Sequence, residues 1–372
     1  MKVFKFATNA RGFLKEMKTM KLIVSIVLPD EKIYETTSKF RYIISKVIKW
    51  KIFDFLGVFQ ILKPSTEKVD GYIAYNRFLN TDKPYVLIVE NPMAMVHYSI
   101  DRSRLPIGKQ RIKKILRQNK LKKIVCISKV CANTFKAFYP YIEGDKICQV
   151  YPAIQDCELE KDYNSILTCL YISSEFKLKG GDDILKAFEN KELDGINLII
   201  ITRKATLTLA QLDCIKTRKN ITLIEFNLTR NQLNDYYDKA HILLNPTRGD
   251  SFSLVTLEAI KRGCVYLGTS FYAIDEMVKN EFNGFVTKPK FSFWLDNGMP
   301  NRRVKDNPLK TYRSDYVDEN VVRLIVDKLV LLNKNRSMLE KMSLNSWNIA
   351  NNDDFSKSAI EKKWNKIFME IN

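Results

Sequence analysis

Few architectures accommodate a chain in which short apolar, β-branched runs alternate with helix-patterned stretches over most of its length. Strand-like runs fall at 22–28, 85–89, 123–128 and 147–153 in the first part. In the second they fall at 165–172, 197–202, 221–225, 241–245, 264–268 and 284–286. Between them, 181–190, 206–217, 229–239 and 252–261 have helical spacing. Such a βαβα rhythm predicts parallel sheets with helices on both faces. The 372 residues hold more strands than one such sheet needs, so two doubly wound halves are expected. The seam falls near 151–164, where Pro152 and a run of acids interrupt the pattern. Residues 318–372 read as two or three helices, and 289–316 as a long irregular, polar segment, a length that is more often functional than accidental.

Charge is unevenly placed. The chain carries a net +19, and residues 1–150 hold 29 basic against 12 acidic residues, so nearly all the excess lies there. That half is expected to face something anionic. No apolar run reaches the ~20 residues of a spanning helix, and the N-terminus lacks a signal-peptide layout. Seven cysteines at irregular spacings, with no Cys-x-x-Cys and two histidines, support neither a disulfide scaffold nor a zinc site. Reduced thiols and a cytoplasmic location, with no metal, are the expectation.

Only 13 glycines occur, and six of them (180, 181, 249, 263, 268 and 284) sit beside expected strand or helix ends in the second half. A sequence sparing with glycine keeps it where a backbone turns sharply or approaches a ligand. Two stretches stand out. In Tyr171-Ile-Ser-Ser-Glu-Phe-Lys-Leu-Lys-Gly-Gly-Asp-Asp, a strand ends, Lys177 and Lys179 follow, and Gly180-Gly181 opens a helix. A helix start beside lysines can hold a phosphate, and the same pattern also serves as an ordinary βα turn. In Asn245-Pro-Thr-Arg-Gly-Asp-Ser-Phe-Ser-Leu-Val-Thr-Leu-Glu-Ala, Asp250 or Ser251 can cap the next helix. Asp250 is then placed in the loop and Glu258 inside the helix, bracketing a ligand of nucleotide-sugar length. An N-cap aspartate followed by a surface glutamate fits the same residues.

The stretch 250–265 resembles the Glu-x7-Glu motif of GT-B glycosyltransferases, specifically the retaining family 4. Pro246-Thr247, Asp250-Ser-Phe-Ser-Leu254, Leu257-Glu258-Ala259 and Gly263-Cys264-Val265 stand in approximate register with it. Asn220-Ile-Thr-Leu, Asn231-Gln-Leu-Asn-Asp-Tyr-Tyr, Asp275-Glu276 and Asn283-Gly284-Phe285 agree with flanking elements, and Lys179-Gly180 with the Lys-Gly after the first donor-domain strand. The resemblance covers residues 120–290 well.

It implies two Rossmann-like domains around a central cleft: 1–155 binding the acceptor and 156–345 the nucleotide sugar. Residues 346–372 would form a helix returning to the first domain. Glu258 would bond the ribose hydroxyls, and Asp250 would sit by the transferred sugar. The amides at Ser251, Phe252, Ser253 and Leu254 would meet sugar or diphosphate. Lys179, with Gly180 and Lys177, would neutralise the leaving diphosphate in place of a metal ion, as oriented charge stabilises a developing anion. No cofactor is implied beyond a UDP-, GDP- or ADP-linked sugar as co-substrate. The family's Arg five residues before the Lys is Ser174 here, and the first motif glutamate is the shorter Asp250. Where many members carry a histidine after an acceptor-domain strand, this chain offers Glu90, with His97 nearby.

Arg102–Lys123 contains ten basic residues and no acid. His97, Arg102, Arg104, Lys109, Arg111, Lys113 and Lys114 are the candidates there for acceptor or membrane contact. Residues 39–55 have the spacing of a basic amphipathic helix, fit for an anionic bilayer or for packing on a core. The expected enzyme transfers a sugar, with retention and without a metal, to a lipid-linked or glycan acceptor, peripherally at an anionic membrane. Two other readings use the same features: a nucleic-acid binder or nucleic-acid-directed transferase, and a catalytically silent GT-B binding subunit.

Overall fold

The computed structural model describes residues 1–8, 12–29, 47–48, 50–64 and 68–371. The chain divides into two compact units, Met1–Gln155 with Lys357–Asn372, and Asp156–Ser356.

The first unit contains β1 (Val3–Phe6), β2 (Ser25–Val27), β3 (Ile61–Leu62), β4 (Gly71–Tyr75), β5 (Phe78–Leu79), β6 (Tyr85–Val89), β7 (Leu121–Cys126) and β8 (Ile147–Gln149). Six of these form a parallel sheet in the order β2-β1-β4-β6-β7-β8, while β3 and β5 pair separately. Every residue of β6 is buried, as expected of a strand covered on both faces. The helices are α1 (Gly12–Lys15), α2 (Lys51–Phe55), α3 (Pro106–Leu116) and α4 (Lys129–Phe138). Pro106 starts α3 at a position where its missing N–H costs nothing, and Ser128 caps α4 through Cys131 N–H.

The second unit has β9 (Thr168–Ser173), β10 (Asn197–Thr202), β11 (Ile221–Glu225), β12 (Ile242–Asn245), β13 (Val265–Thr269) and β14 (Gly284–Thr287). All are parallel, in the order β11-β10-β9-β12-β13-β14. Its helices are α5 (Gly181–Ala187), α6 (Leu209–Thr217), α7 (Arg230–Lys239), α8 (Leu254–Lys261), α9 (Ile274–Met277), α10 (Arg302–Lys305), α11 (Glu319–Lys334) and α12 (Arg336–Asn352). Capping boxes, Thr208 with Gln211 and Thr229 with Gln232, fix the starts of α6 and α7. One apolar core joins the sheet to α5, α11 and α12 through residues such as Leu198, Leu244, Ile325 and Leu339.

The last helix, α13 (Lys357–Ile371), belongs to the first unit. Phe368 packs on Phe4 with ring centroids 5.1 Å apart, and Asn365 accepts the Ile23 N–H at 2.9 Å. The boundary expected at 345/346 falls inside α12. That helix stays with the second unit because its far end is bonded there: Ser346 donates to the Asn283 carbonyl and Asn351 to that of Lys261. Of the amphipathic helix expected over 39–55, residues 39–46 and 49 lie outside the described residues, and among the rest Val47 and Lys51–Phe55 are helical. Among the described residues no helix is long and apolar enough to cross a membrane.

Candidate functional site

In the second unit the strand order reverses between β9 and β12, and the carboxyl ends of the strands at such a reversal are where open α/β sheets bind ligands. Both sequence motifs lie on these loops. Gly180 brings them together: its φ is +73°, and a Cβ there would stand 2.2 Å from the Pro246 carbonyl oxygen. Glycine is therefore required by conformation and by space.

Lys179, just before this contact, reaches across to the second loop. Its Nζ donates to the Asp250 Oδ2 and to the Gly249 carbonyl, each at 2.7 Å. The Lys179 and Asp250 side chains are 24% and 20% exposed, so the pair is mostly withdrawn from water. Asp250 Oδ1 accepts the backbone N–H groups of Ser251 at 2.8 Å and Ser253 at 3.2 Å. Burial alone would raise the Asp250 carboxyl, but the Lys179 ammonium and these two amides outweigh it and hold it below the usual carboxylate range. Asp250 is thus an anion at neutral pH and has no proton to give. It does not cap α8: the helix starts after Ser253, whose φ is +64° and whose side chain makes no cap bond. The Ser251 and Ser253 amides, expected to meet a ligand, here meet the Asp250 carboxylate. Ser253 Oγ is instead held by Asn245 Nδ2 at 3.0 Å and by the Thr256 hydroxyl at 2.8 Å. Phe252 is buried, and Leu254 is the first residue of α8.

Glu258 is the fifth residue of α8, with its carboxylate only 12% exposed. Oε1 accepts from Arg230 Nη1 at 2.6 Å and Oε2 from the Tyr237 hydroxyl at 2.8 Å. Both partners come from α7, and neither was singled out from the sequence. Tyr237 is fully buried, and burial together with Glu258 holds its hydroxyl far above the ordinary range, so it stays a donor. Arg230, half exposed, covers the outer side of the carboxylate.

Lys177 is ion-paired with Asp315, from the irregular segment. Arg248 is buried, although it is flanked by Gly and Thr in a loop. Its Nη2 lies 2.9 and 3.0 Å from the two Asp183 oxygens, and its guanidinium covers the Tyr316 ring at 4.0 Å. Asp183 also accepts the Asp318 N–H at 2.8 Å. Burial pushes its carboxyl up to about 6 in spite of Arg248. His241 is structural: Nδ1 accepts the Thr168 N–H at 3.1 Å, and Nε2 faces the Asp162 carbonyl at 2.9 Å.

The first-unit candidates separate by environment. Glu90 follows β6 directly and is buried, and its carboxylate accepts from the Tyr75 hydroxyl at 2.6 Å and from Tyr98. Asn76, His97 and Tyr98 around it have φ of +52°, +57° and +59°. Non-glycine residues in this region store strain, which gathers at functional sites. Arg102 does not face outward as expected. Its side chain is 1% exposed, with Nε on Asp54 at 2.9 Å and Nη2 on the Ile48 carbonyl, so it ties the α2 region to the segment before α3. Arg111 donates to the Gly57 carbonyl at 3.2 Å, Arg104 lies over the Phe138 ring, and Lys113 lies near Tyr141. Lys109 and Lys114 are exposed on α3.

Residues 161–293 match the family model of glycosyl transferases group 1. No curated protein sequence matches the chain. Among solved structures, WaaG, a glycosyltransferase involved in lipopolysaccharide biosynthesis, aligns with a TM-score of 0.61 at 13% identity, over 99% of each chain. Anabaena Alr3699/HepE in complex with UDP-glucose aligns with a TM-score of 0.59 at 11% identity, over 99% of this chain and 98% of that one. The pneumococcal O-GlcNAc transferase GtfA, in complex with UDP and GlcNAc, aligns with a TM-score of 0.59 at 16% identity. There the chain spans 57% of the other's length and aligns over 81% of its own. The chain is therefore similar to glycosyl transferases group 1 over residues 161–293, and it has the α/β fold of the GT-B glycosyltransferases.

Proposed function

We propose that the chain is a glycosyltransferase that moves a sugar from a nucleotide donor to a lipid-linked or glycan acceptor, with retention of anomeric configuration and without a metal ion. The observation that carries this reading is the Lys179–Asp250 pair at the β9/β12 reversal, with Glu258 on the helix that follows. Lys179 would exchange its contact with Asp250 for the diphosphate and stabilise the negative charge that grows there as the bond to the anomeric carbon breaks. Asp250, held ionised, would accept hydrogen bonds from hydroxyls of the transferred sugar. Glu258 would accept from the ribose as Arg230 swings aside, with Tyr237 keeping the carboxylate in place. Glu90, buried among strained residues of the first unit, is assigned to the acceptor or the reacting sugar. Structural neighbours were solved with UDP or a UDP-sugar, which makes a uridine donor the first to try.

A thermal-shift screen against UDP, GDP, ADP and their sugars tests the donor site without knowledge of the acceptor. Stabilisation by one nucleoside diphosphate and slow hydrolysis of its sugar are expected. Lys179→Ala should lower that hydrolysis about 10²–10³-fold, and Glu258→Ala should weaken nucleotide binding. A protein that no nucleotide stabilises, or two variants that match wild type, would remove the proposal.

We also propose that the first unit docks on an anionic membrane surface. Trp50, Ile52, Phe55 and Ile107 are 51–64% exposed, near exposed Lys109, Arg111 and Lys114 of α3. Gly57 and Gly108 draw α2 and α3 together: a Cβ on Gly57 would stand 2.5 Å from the Gly108 Cα. Aromatic side chains beside lysines suit the headgroup region of such a bilayer.

A further inference from the structure

The donor-site reading leaves the irregular stretch after β14 without a task. Among the described residues it contributes no strand to either large sheet, yet it is tightly built. Trp294 bridges to Pro300 in an antiparallel pair, Leu295 N–H donates to the Met299 carbonyl at 2.8 Å, and Asn301 Nδ2 donates to the Ser292 carbonyl at 3.1 Å. This turn buries an indole. Trp294 is 6% exposed, lies on the Tyr272 ring with centroids 4.0 Å apart and planes 23° apart, and meets Phe293 edge-on at 5.1 Å. Tyr272 has a φ of +51°, a conformation costly for a bulky residue, and it sets this ring against the indole.

The indole N–H is the only polar atom of the side chain, and a buried one requires an acceptor. It donates to the backbone carbonyl of Asp250 at 3.1 Å. The same segment grips the loop at a second point, where the Tyr316 carbonyl accepts from Arg248 Nη2 at 2.8 Å. Residues 248 and 250 are thus tied to one external element on both sides of Gly249. Between them the Gly249 carbonyl accepts from Lys179 Nζ and from the Thr247 hydroxyl, and the indole adds the bond to the carbonyl of Asp250 itself.

We infer that Trp294 is a positioning residue for Asp250: its indole fixes the backbone from which the carboxylate meets the transferred sugar. The inference rests on the donor-site reading and adds to it a part of the chain outside both motifs. Misplacing a reacting group by about 1 Å can cost on the order of 10² in rate, whereas the diphosphate and ribose contacts through Lys179 and Glu258 do not pass through the indole.

The test uses the full chain and two variants. Trp294→Ala removes the stack and the donor, and Trp294→Phe keeps an aromatic ring and removes the donor. Nucleoside diphosphate affinity is measured by calorimetry, and hydrolysis of the matching nucleotide sugar gives kcat. Amide hydrogen exchange over 249–254 is followed in the unliganded protein. Trp294→Ala is expected to lower kcat about 30- to 100-fold with nucleoside diphosphate affinity unchanged, and to speed exchange in the loop. Trp294→Phe is expected to lose about 2- to 10-fold in kcat, the worth of one hydrogen bond. Unchanged kcat and exchange in Trp294→Ala would overturn the inference. So would equal losses of affinity and kcat, which would mark a collapsed site. Wild-type protein that binds no nucleoside diphosphate would instead sink the donor-site reading itself.

Discussion

Replacing Arg248 by Met tests whether the two motif loops are held by a buried charge pair. The Arg248 and Asp183 side chains are 2% and 1% exposed, so the carboxylate cannot turn to water when its partner is gone. Removing one member of such a pair costs about 3–5 kcal/mol, because the remaining charge stays desolvated. For a unit of roughly 200 residues, each kcal/mol shifts the midpoint by about 2–4 °C, which gives a fall of about 6–20 °C for the second unit's transition. A second readout separates charge from packing. The Asp183 carboxyl already lies at about 6 through burial, against an ordinary 3.8, and loss of Arg248 raises it further. A raised folded-state carboxyl contributes most below its unfolded pKa, and that contribution is lost as pH rises through the folded pKa. The damage in Arg248→Met should therefore be large at pH 8 and much smaller near pH 5, where Asp183 takes up a proton. Adding Asp183→Asn, which still accepts from Asp318 N–H, should recover more than half of the loss. Calorimetry at both pH values is the assay. A shift under about 2 °C at pH 8, or one equal at both pH values, would refute the reasoning.

Two further outcomes follow from the same geometry. His241 receives an N–H at Nδ1 and faces a carbonyl with Nε2, so only the neutral Nε2–H tautomer satisfies both. Burial lowers its pKa below 6.5, so its share of stability is present above pH 6.5 and lost on acidification; nitrogen-detected NMR should show that tautomer and a midpoint below 6.5. At the first unit, Trp50→Ser with Phe55→Ser should cut co-sedimentation with vesicles containing anionic lipid about tenfold or more. Retained binding, or equal binding to neutral vesicles, would remove the membrane proposal.

Residues whose role follows from local pattern were legible in the sequence. The unbroken apolar runs of β6 and β10 and the β-branched run of β11 located those strands to the residue. The strands β1 and β4 escaped notice. Lys5 breaks the apolar run of β1, yet it is 9% exposed, and β4 opens on a glycine that packs against Phe4. At the site, Lys179, Asp250 and Glu258 were marked by spacing within one motif each. Arg230, Tyr237, Arg248 and Trp294 gave no such signal, because their partners lie 21 to 65 residues away. Arg248 stands in a loop and Arg230 on a polar helix, and it is tertiary contacts that give each a carboxylate. Arg102 shows the reverse error: a basic stretch suggested an outward charge, and Asp54, 48 positions earlier, had already claimed it.

The placement of α13 has a consequence for biosynthesis. Phe4 in the first strand rests on Phe368, and Lys21 N–H is bonded to Glu361, so the hydrophobic interior of the first unit is sealed by residues translated after the whole second unit. The intervening 156–356 segment contains all of its own strands and can mature while the ribosome is still at work. The amino-terminal half must wait, with part of its apolar surface uncovered, until the closing helix emerges. A ribosome stalled before residue 357 should therefore display a finished second unit and an unfinished first one.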